Sequence, residues 1–565
     1  VSAAVQPKRM LILVCIVGVV ALGILLRLIH LQILQGRRFS EVARDQAQEI
    51  IEVDLPRANL VDRNGFPLAA STLCPSLYTF DPQKIRDREG LARSVAALSG
   101  RNAGDILKDL RTRRKFTWLA RKLPFERYPE AQALCDRFPG VKVMDEAGRY
   151  YPNGTAAANL LGCMGTDGGL AGLEHHWNKE LQGGSRKYLV FRDARPTRLI
   201  PVEVVPKVDP PPRTVRLSVD LPLQSLCEEV LHATVKDLKA LDGVVVVLDP
   251  RNGDILAMAV SPTFDPNRPQ DSPRGAWRNR AVTDSYEPGS TFKVVTLAAA
   301  LDTGRFGPYD PVTVGNGTLT IGPKTIHDDE PPVKSVYTLE EVLQHSSNVG
   351  AARVGMALGP DVMYHYMRRM GFGEPTSLGL SGEVAGRLRK PKDWSALSLP
   401  SLSFGQELRT TPLQLALAYG AVASGGLKVT PRLLADAPVP PPQRILKPDT
   451  ASHLTRMLVR VVEEGTGKNA AVPGVAVAGK TGTAQKLGVK SSDGRKLFIA
   501  YFVGFAPAED PRVVVLVMVD EPLGRIYGGS VSAPAFSRIL AYALKRLSYP
   551  EEPPAQDLAL MRRPR

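Results

Sequence analysis

Apolar positions run unbroken in one place only near the start of the chain. Met10 to Leu26, MLILVCIVGVVALGILL, is seventeen residues without a charge. At ~1.5 Å per residue that is about 26 Å of helix, nearly the thickness of a hydrocarbon core. Arg27 and His30 interrupt the following LIHLQIL, and such side chains can snorkel to an interface. No small residues at A-x-A spacing follow the run, so it predicts an uncleaved transmembrane anchor over residues 10–34. Lys8 and Arg9 precede the span while Arg27, Arg37 and Arg38 follow it, so flanking charge does not orient it. The simpler arrangement is a short cytoplasmic tail, residues 1–9, with the bulk of the chain on the extracytoplasmic side of the cell membrane (an inner membrane where there are two).

After the anchor the pattern changes period. Glu41 to Ile51 predicts a helical continuation. Val53 to Ser71 predicts strand, turn and strand, because Asn64-Gly65 is a strong hairpin signal. Residues 85–140 alternate helical patterns with basic patches, and Tyr150–Thr155 and Gly165–Gly172 are rich in turn residues. Val202 to Arg213, VEVVPKVDPPPR, holds four prolines in twelve residues and marks a boundary. Beyond it, TVRLSVD reads as a strand and LQSLCEEVLHATVKDL as a helix. GVVVVLDPRNGDILAMAV reads as two apolar strands about a turn. Two more apolar strands come late, in KLFIAYFVGFAP and PRVVVLVMVDEP, ahead of the helical SAPAFSRILAYALKRL. Strands at both ends of a mostly helical middle predict an α+β domain whose sheet pairs early with late segments. The expected divisions are a first extracytoplasmic domain over 35–205, a second over 206–548, and a disordered tail over 549–565.

A chain of 565 residues needs more than one core. Its composition, 44% hydrophobic and 23% charged, is that of globular protein. The net charge of +15 suits an anionic neighbourhood such as a membrane surface, an acidic polymer or nucleic acid. Zinc-finger spacing, aromatic RNA-binding strands and dense basic blocks are missing from the sequence, so no nucleic-acid partner is expected. Five scattered cysteines, one of them inside the apolar run, argue against a disulfide framework.

The candidate chemistry begins at EPGSTFKVVTL, where Ser290 stands three residues ahead of Lys293 at the start of an apolar run. Positions i and i+3 share a helix face, so the two heads can meet. A serine near a helix N-terminus lies where developing negative charge is favoured, and a buried lysine beside it can lose its proton and act as a base. Alone, S-x-x-K is equally the pattern of a helix cap and a solvated lysine. Two partners lift it above that reading. Gln344 to Gly350, QHSSNVG, contains Ser346-x-Asn348, and Gly479 to Ala484 contains Lys480-Thr481-Gly482-Thr483. S-x-x-K, S-x-N and K-T-G in this order resemble the set used by penicillin-binding proteins and serine β-lactamases.

In that set Ser290 attacks an amide carbonyl and forms an acyl-enzyme, with Lys293 as base. Ser346 can relay a proton, and Asn348 can donate to a substrate carbonyl. Lys480 supplies positive field that keeps Lys293 neutral and attracts a substrate carboxylate. Thr481 and Thr483 offer hydroxyls to that carboxylate, while Gly482 lets backbone approach backbone. The resemblance further implies an oxyanion hole from the N–H groups of Ser290 and Thr483. No metal and no cofactor are expected.

Outside the three motifs, the chain resembles a class B high-molecular-mass penicillin-binding protein over residues 10–545. Arg57, Asp62, Arg63, Gly65 and Leu68 match the family's R-G-x-x-x-D-R-x-G-x-x-L, with Ala58 in place of its glycine. Arg149-Tyr150-Tyr151-Pro152 and Gly172-Leu173-Glu174 match other marks of the family's pedestal (dimerisation-type) domain. One departure stands near the expected cleft: Glu407, in SFGQE, occupies a position where relatives usually carry glycine, and its charge could repel an anionic substrate.

The resemblance implies a D,D-transpeptidase that crosslinks peptidoglycan stem peptides and is acylated by β-lactams. LGLSGEVAGRLRKPKDWS and TLTIGPKTIHDDE are most similar to the septal cell-division branch. The elongation branch is the close alternative; a β-lactamase and a β-lactam sensor or scaffold are the rivals from other classes. The septal reading brings partners with it: a membrane-embedded glycan polymerase of the SEDS class, FtsW type, and other division proteins. Three further stretches carry blander readings. His327-Asp328-Asp329-Glu330 fits an exposed acidic turn better than a metal cluster, and the side chains of His175 and His176 diverge. Gly465-Thr466-Gly467-Lys468 lacks the spacing of a phosphate loop.

Overall fold

A computed structural model of the chain describes residues 7–39, 48–79, 82–112, 117–183, 185–192, 199–201, 213–491 and 493–548. The tail after residue 548, residues 1–6, and all but the last residue of the proline-rich boundary lie outside the described residues. The chain divides into two units. The smaller comprises Val1–Pro56, Leu73–Ala147 and Gly183–Pro211, and the larger Arg57–Thr72, Gly148–Gln182 and Pro212–Arg565.

In the smaller unit the apolar run is helical, from Pro7 to Ile29, and continues through a π-helical turn at His30–Leu34. None of the Met10–Leu34 segment is buried by protein, and its length and hydropathy suffice to cross a membrane. The expected helix over Glu41–Ile51 is corrected where the chain is described. Gln48–Asp54 is a strand, paired antiparallel with Ser185–Arg192 from Gln48↔Phe191 to Asp54↔Ser185. The β-branched Ile50, Ile51 and Val53 suit that ladder, and partners as distant as Leu189, Tyr188 and Arg186 are invisible to a local pattern. Three helices, Arg88–Ser99, Ala103–Arg111 and Tyr128–Arg137, enclose a separate core of Leu77, Leu91, Val95, Ile106, Leu110 and Leu119.

The larger unit is built on a five-stranded antiparallel sheet. Its order is Ile255–Ser261, Asp242–Leu248, Val513–Asp520, Lys496–Ala506, Ala478–Lys490, so early strands do pair with late ones. Asp242–Leu248 is buried at every position because both faces are covered. Val245 and Val247 face a cluster with Cys227, Leu231, Phe536 and Ile539 from the helices Leu221–Asp237 and Gly528–Ser548. Val244 and Val246 face the opposite cluster, with Leu297, Leu415 and Tyr419. Two-sided burial explains why these strands read as continuous apolar runs instead of alternating ones.

The pedestal motifs meet in the larger unit around one buried carboxylate. Glu174 accepts from Arg57 Nε and Arg149 Nε, each at 2.6 Å. Arg57 also donates to the Glu174 carbonyl at 2.7 Å, and Arg149 to the carbonyl of Ala58 at 2.7 Å. Asp62 organises the hairpin turn, accepting from the N–H groups of Asn64 and Phe66 at 2.8 Å, and caps the helix Leu221–Asp237 through Leu221 N at 3.0 Å. Ala58 keeps an ordinary backbone conformation, so the missing family glycine costs no strain there.

Candidate active site

Gly289 to Phe292 form a 3-10 turn that leads directly into the helix Lys293–Asp302. Residues three apart eclipse in such a turn, which stacks Lys293 beside Ser290. The helix is apolar on nearly every face, with Ala298, Ala299 and Ala300 fully buried, and is sunk into the core. Lys293 is carried inside with it, at 0% exposure, while Ser290 stays partly exposed. The turn is held from below by the Tyr419 hydroxyl, which donates to the Thr291 carbonyl at 2.9 Å.

Lys293 Nζ lies 2.9 Å from Ser290 Oγ, 3.1 Å from Ser346 Oγ and 2.8 Å from Asn348 Oδ1, and also touches the Ser346 carbonyl. Ser346 reaches it with two oxygens because its backbone is left-handed, with φ 58°. The neutral amine has two N–H groups and one lone pair. The two carbonyl oxygens can only accept, so the lone pair is left for a hydroxyl, that of Ser290 or Ser346. Burial brings Lys293 down to about 7, and the charges of Asp329 and Asp328 oppose the shift. The repulsion between the two lysines bears on Lys480, which is pushed well below the usual range, first by burial and second by Lys293.

The K-T-G segment lies on the edge strand Ala478–Lys490, against the serine turn. A Cβ on Gly482 would come within 2.7 Å of Thr291 Cγ2 and 3.1 Å of the Pro288 carbonyl. Glycine therefore allows the strand to close on the turn. Lys480 Nζ contacts the Thr481 carbonyl and hydroxyl, each at 3.2 Å, and Thr481 Oγ1 pairs with Thr466 Oγ1 at 2.7 Å. Thr481 is buried, whereas Thr483 is partly exposed and accepts from Gly528 N at 3.2 Å. All eight sequence-predicted residues thus fall in two adjoining clusters, one around Lys293 and one along the edge strand.

Four supporting groups went unassigned in the sequence. Asp328 accepts from Ser347 Oγ at 2.8 Å and from Val349 N at 2.9 Å, so it clamps both neighbours of Asn348. The His327 carbonyl accepts from Asn348 Nδ2 at 2.9 Å. The acidic turn is therefore a brace for the S-x-N loop. Thr466, from the glycine-rich stretch, braces Thr481 as described. Arg389, with Ser398 Oγ at 2.7 Å, engages the Glu407 carboxylate, so the charge feared at that position is compensated. Asp328→Ala is expected to cost about 1–2 kcal/mol, since two donors lose their acceptor at a half-buried site. It should also slow acylation by a labelled penicillin. Thermal unfolding and labelling rates check both; unchanged rates would separate the clamp from the chemistry.

Residues 243–541 match the penicillin-binding protein transpeptidase domain, and residues 52–209 match the penicillin-binding protein dimerisation domain. The chain belongs to the class B penicillin-binding proteins. It is 35% identical to the probable peptidoglycan D,D-transpeptidase PbpC of Pseudomonas aeruginosa, over 98% of this chain and 97% of that protein. It is 33% identical to the peptidoglycan D,D-transpeptidase FtsI of Escherichia coli, over 95% of this chain and 91% of that one. Among solved structures, penicillin-binding protein 3 of Mycobacterium tuberculosis in complex with aztreonam superposes with a TM-score of 0.65 at 27% identity, covering 89% of this chain and 99% of that one.

Proposed function

We propose that Ser290 is the residue acylated when this transpeptidase crosslinks peptidoglycan stem peptides, with Lys293 as its base. The observation that carries the reading is the Lys293 amine, buried and near neutrality, 2.9 Å from Ser290 Oγ. Ser290 passes its proton to the amine while Oγ attacks the penultimate D-Ala carbonyl. The terminal D-Ala then departs, its nitrogen protonated through Ser346, which also touches Lys293. A neighbouring stem-peptide amine attacks the ester, Ser290 regains its proton, and the crosslink is made. Asn348 orients the peptide, Lys480 and Thr483 receive its carboxylate, and Thr481 holds Lys480 in place. Burial and the neighbouring Lys293 hold Lys480 well below the usual lysine range, and an arriving carboxylate would favour its charged form. β-Lactams take the same route and stop at the acyl-enzyme. Mapping the adduct of a fluorescent penicillin to the peptide containing Ser290 tests the reading.

The same reading places the protein in the cell membrane, single-pass, with the first extracytoplasmic domain over 35–205 and the transpeptidase domain over 206–548. The apolar helical segment Met10–Leu34, none of it buried by protein, supports it. In that helix Gly18 and Gly23 leave open space beside the backbone, which suits close approach by a helix of a SEDS glycan polymerase of the FtsW type. Septal synthesis is the favoured role, on the likeness to FtsI. Depletion in a rod-shaped host is expected to give filaments with blocked septa. Round cells that still divide would assign it to elongation.

A further inference from the structure

The loop from Ser403 to Thr410 lies directly behind the serine turn. Gly289 N donates to the Gly405 carbonyl at 3.1 Å, and Tyr286 and Thr410 exchange backbone hydrogen bonds at 2.9 and 2.8 Å. Thr296 Oγ1 donates to the Ser403 carbonyl at 2.7 Å. The approach is so close that a Cβ on Gly405 would sit 2.1 Å from the Gly289 carbonyl oxygen. Any shift of this loop is therefore passed to the backbone that carries Ser290.

Glu407 occupies this loop with φ 65°, a left-handed conformation that glycine adopts freely and glutamate does not. A side chain kept at such a position must offset its backbone strain by what it binds. Its carboxylate accepts from Ser398 Oγ at 2.7 Å and pairs with Arg389, while its own N–H donates to Glu287 Oε1 at 3.1 Å. Arg389 also donates to Ser398 Oγ at 3.0 Å, closing a three-membered network. A second tie runs beside it, the paired backbone hydrogen bonds between Arg387 and Arg409 at 2.7 and 2.9 Å. One end of the network is thus the 387–398 segment, and the other is the loop under Gly289.

We infer that Glu407 is a positioning residue for Ser290: by binding Arg389 and Ser398 it fixes the Ser403–Thr410 loop on which the serine turn rests. This rests on Ser290 being the acylated residue. Glu407 touches neither Ser290 nor Lys293. Its effect therefore belongs in the rate of bond formation and not in the protonation of the base.

The test is the concentration dependence of acylation by a fluorescent penicillin, which separates the affinity of the initial complex from the acylation rate constant. Glu407→Gln keeps the shape and removes the charge. It is expected to slow acylation about five- to tenfold, the scale of one partly exposed charge-assisted hydrogen bond. Affinity and the pH midpoint should stay as in the wild type. Glu407→Asp, which restores the charge, should recover most of the rate. Arg389→Gln should give the same loss, and the double variant no further loss, because the two act through one contact. Arg389→Gln also reads the coupling if Glu407→Gln does not fold. An unchanged acylation rate in both single variants, additive losses, or a loss confined to affinity would each overturn the inference. If the wild-type adduct maps away from Ser290, the nucleophile assignment fails instead, whatever the Glu407 variants do.

Discussion

Ser290→Ala is expected to abolish covalent labelling by penicillin, with a loss of at least about 10⁴-fold in acylation, while the protein unfolds at nearly its wild-type temperature. The hydroxyl is the atom that bonds to substrate, so no residual covalent route remains through it. Its contribution to the fold is small. Ser290 is partly exposed, and its hydroxyl is tied to Lys293, which keeps Ser346 and Asn348 as partners. Losing one such hydrogen bond costs about 1 kcal/mol. Reversible binding should persist, because Asn348, Lys480 and Thr483 are intact. The measurement is gel fluorescence with peptide mapping beside a thermal melt. Label retained on another residue would remove Ser290 from the role of nucleophile.

The second large effect is the pH dependence of acylation. The base must be neutral to accept the Ser290 proton, and burial sets Lys293 at about 7. Below that value the ammonium form dominates, so the rate should fall about tenfold per pH unit below pH 6 and level off above pH 8. Lys293→Arg, which stays charged, should lose about 10³- to 10⁴-fold. Stability moves in the same direction with pH, over a higher window. The folded-state value lies below the ordinary lysine value of 10.5, so the unfolded chain binds more protons between pH 7 and 10.5. This one group therefore makes stability rise with pH across that window. Lys293→Met should remove the penalty, on the order of several kcal/mol, and raise the melting temperature while abolishing acylation. A rate midpoint above pH 9, or a Lys293→Met protein that melts lower, would contradict the buried neutral base.

Both predictions rest on residues that the sequence placed together unaided. Ser290 and Lys293 are one helical step apart, and their meeting is a local matter. The sheet was also legible, because two-sided burial writes long apolar runs such as those at Val244–Leu248 and Val513–Val519. What stayed hidden has partners far along the chain. Asp328 looked like part of an exposed acidic turn, because nothing in its neighbourhood announces Ser347 and Val349. Arg389 lies in a stretch read only for its likeness to the septal branch, with nothing to pair it with position 407, so Glu407 looked like an uncompensated charge. Gln48 to Ile51 resembled the end of a helix continuing from the anchor until its ladder with Tyr188 to Phe191 was seen.

The Arg57–Glu174–Arg149 cluster also bears on the order in which this chain must assemble. Its members come from early segments, yet the unit they belong to is completed only with the last helix, where Arg546 pairs with Asp220. A chain delivered N-terminus first therefore carries this ion cluster for hundreds of residues before its surroundings close. Such distant closures are slow, since loop entropy is lost before any contact repays it. A fragment started at Pro212 would lack Asn59–Val61, which lies parallel to Thr214–Arg216, and would begin with an unmatched strand edge. Maturation is thus tied to complete delivery of the chain, and a polypeptide stalled midway exposes buried charge and open edges to whatever degrades misfolded protein.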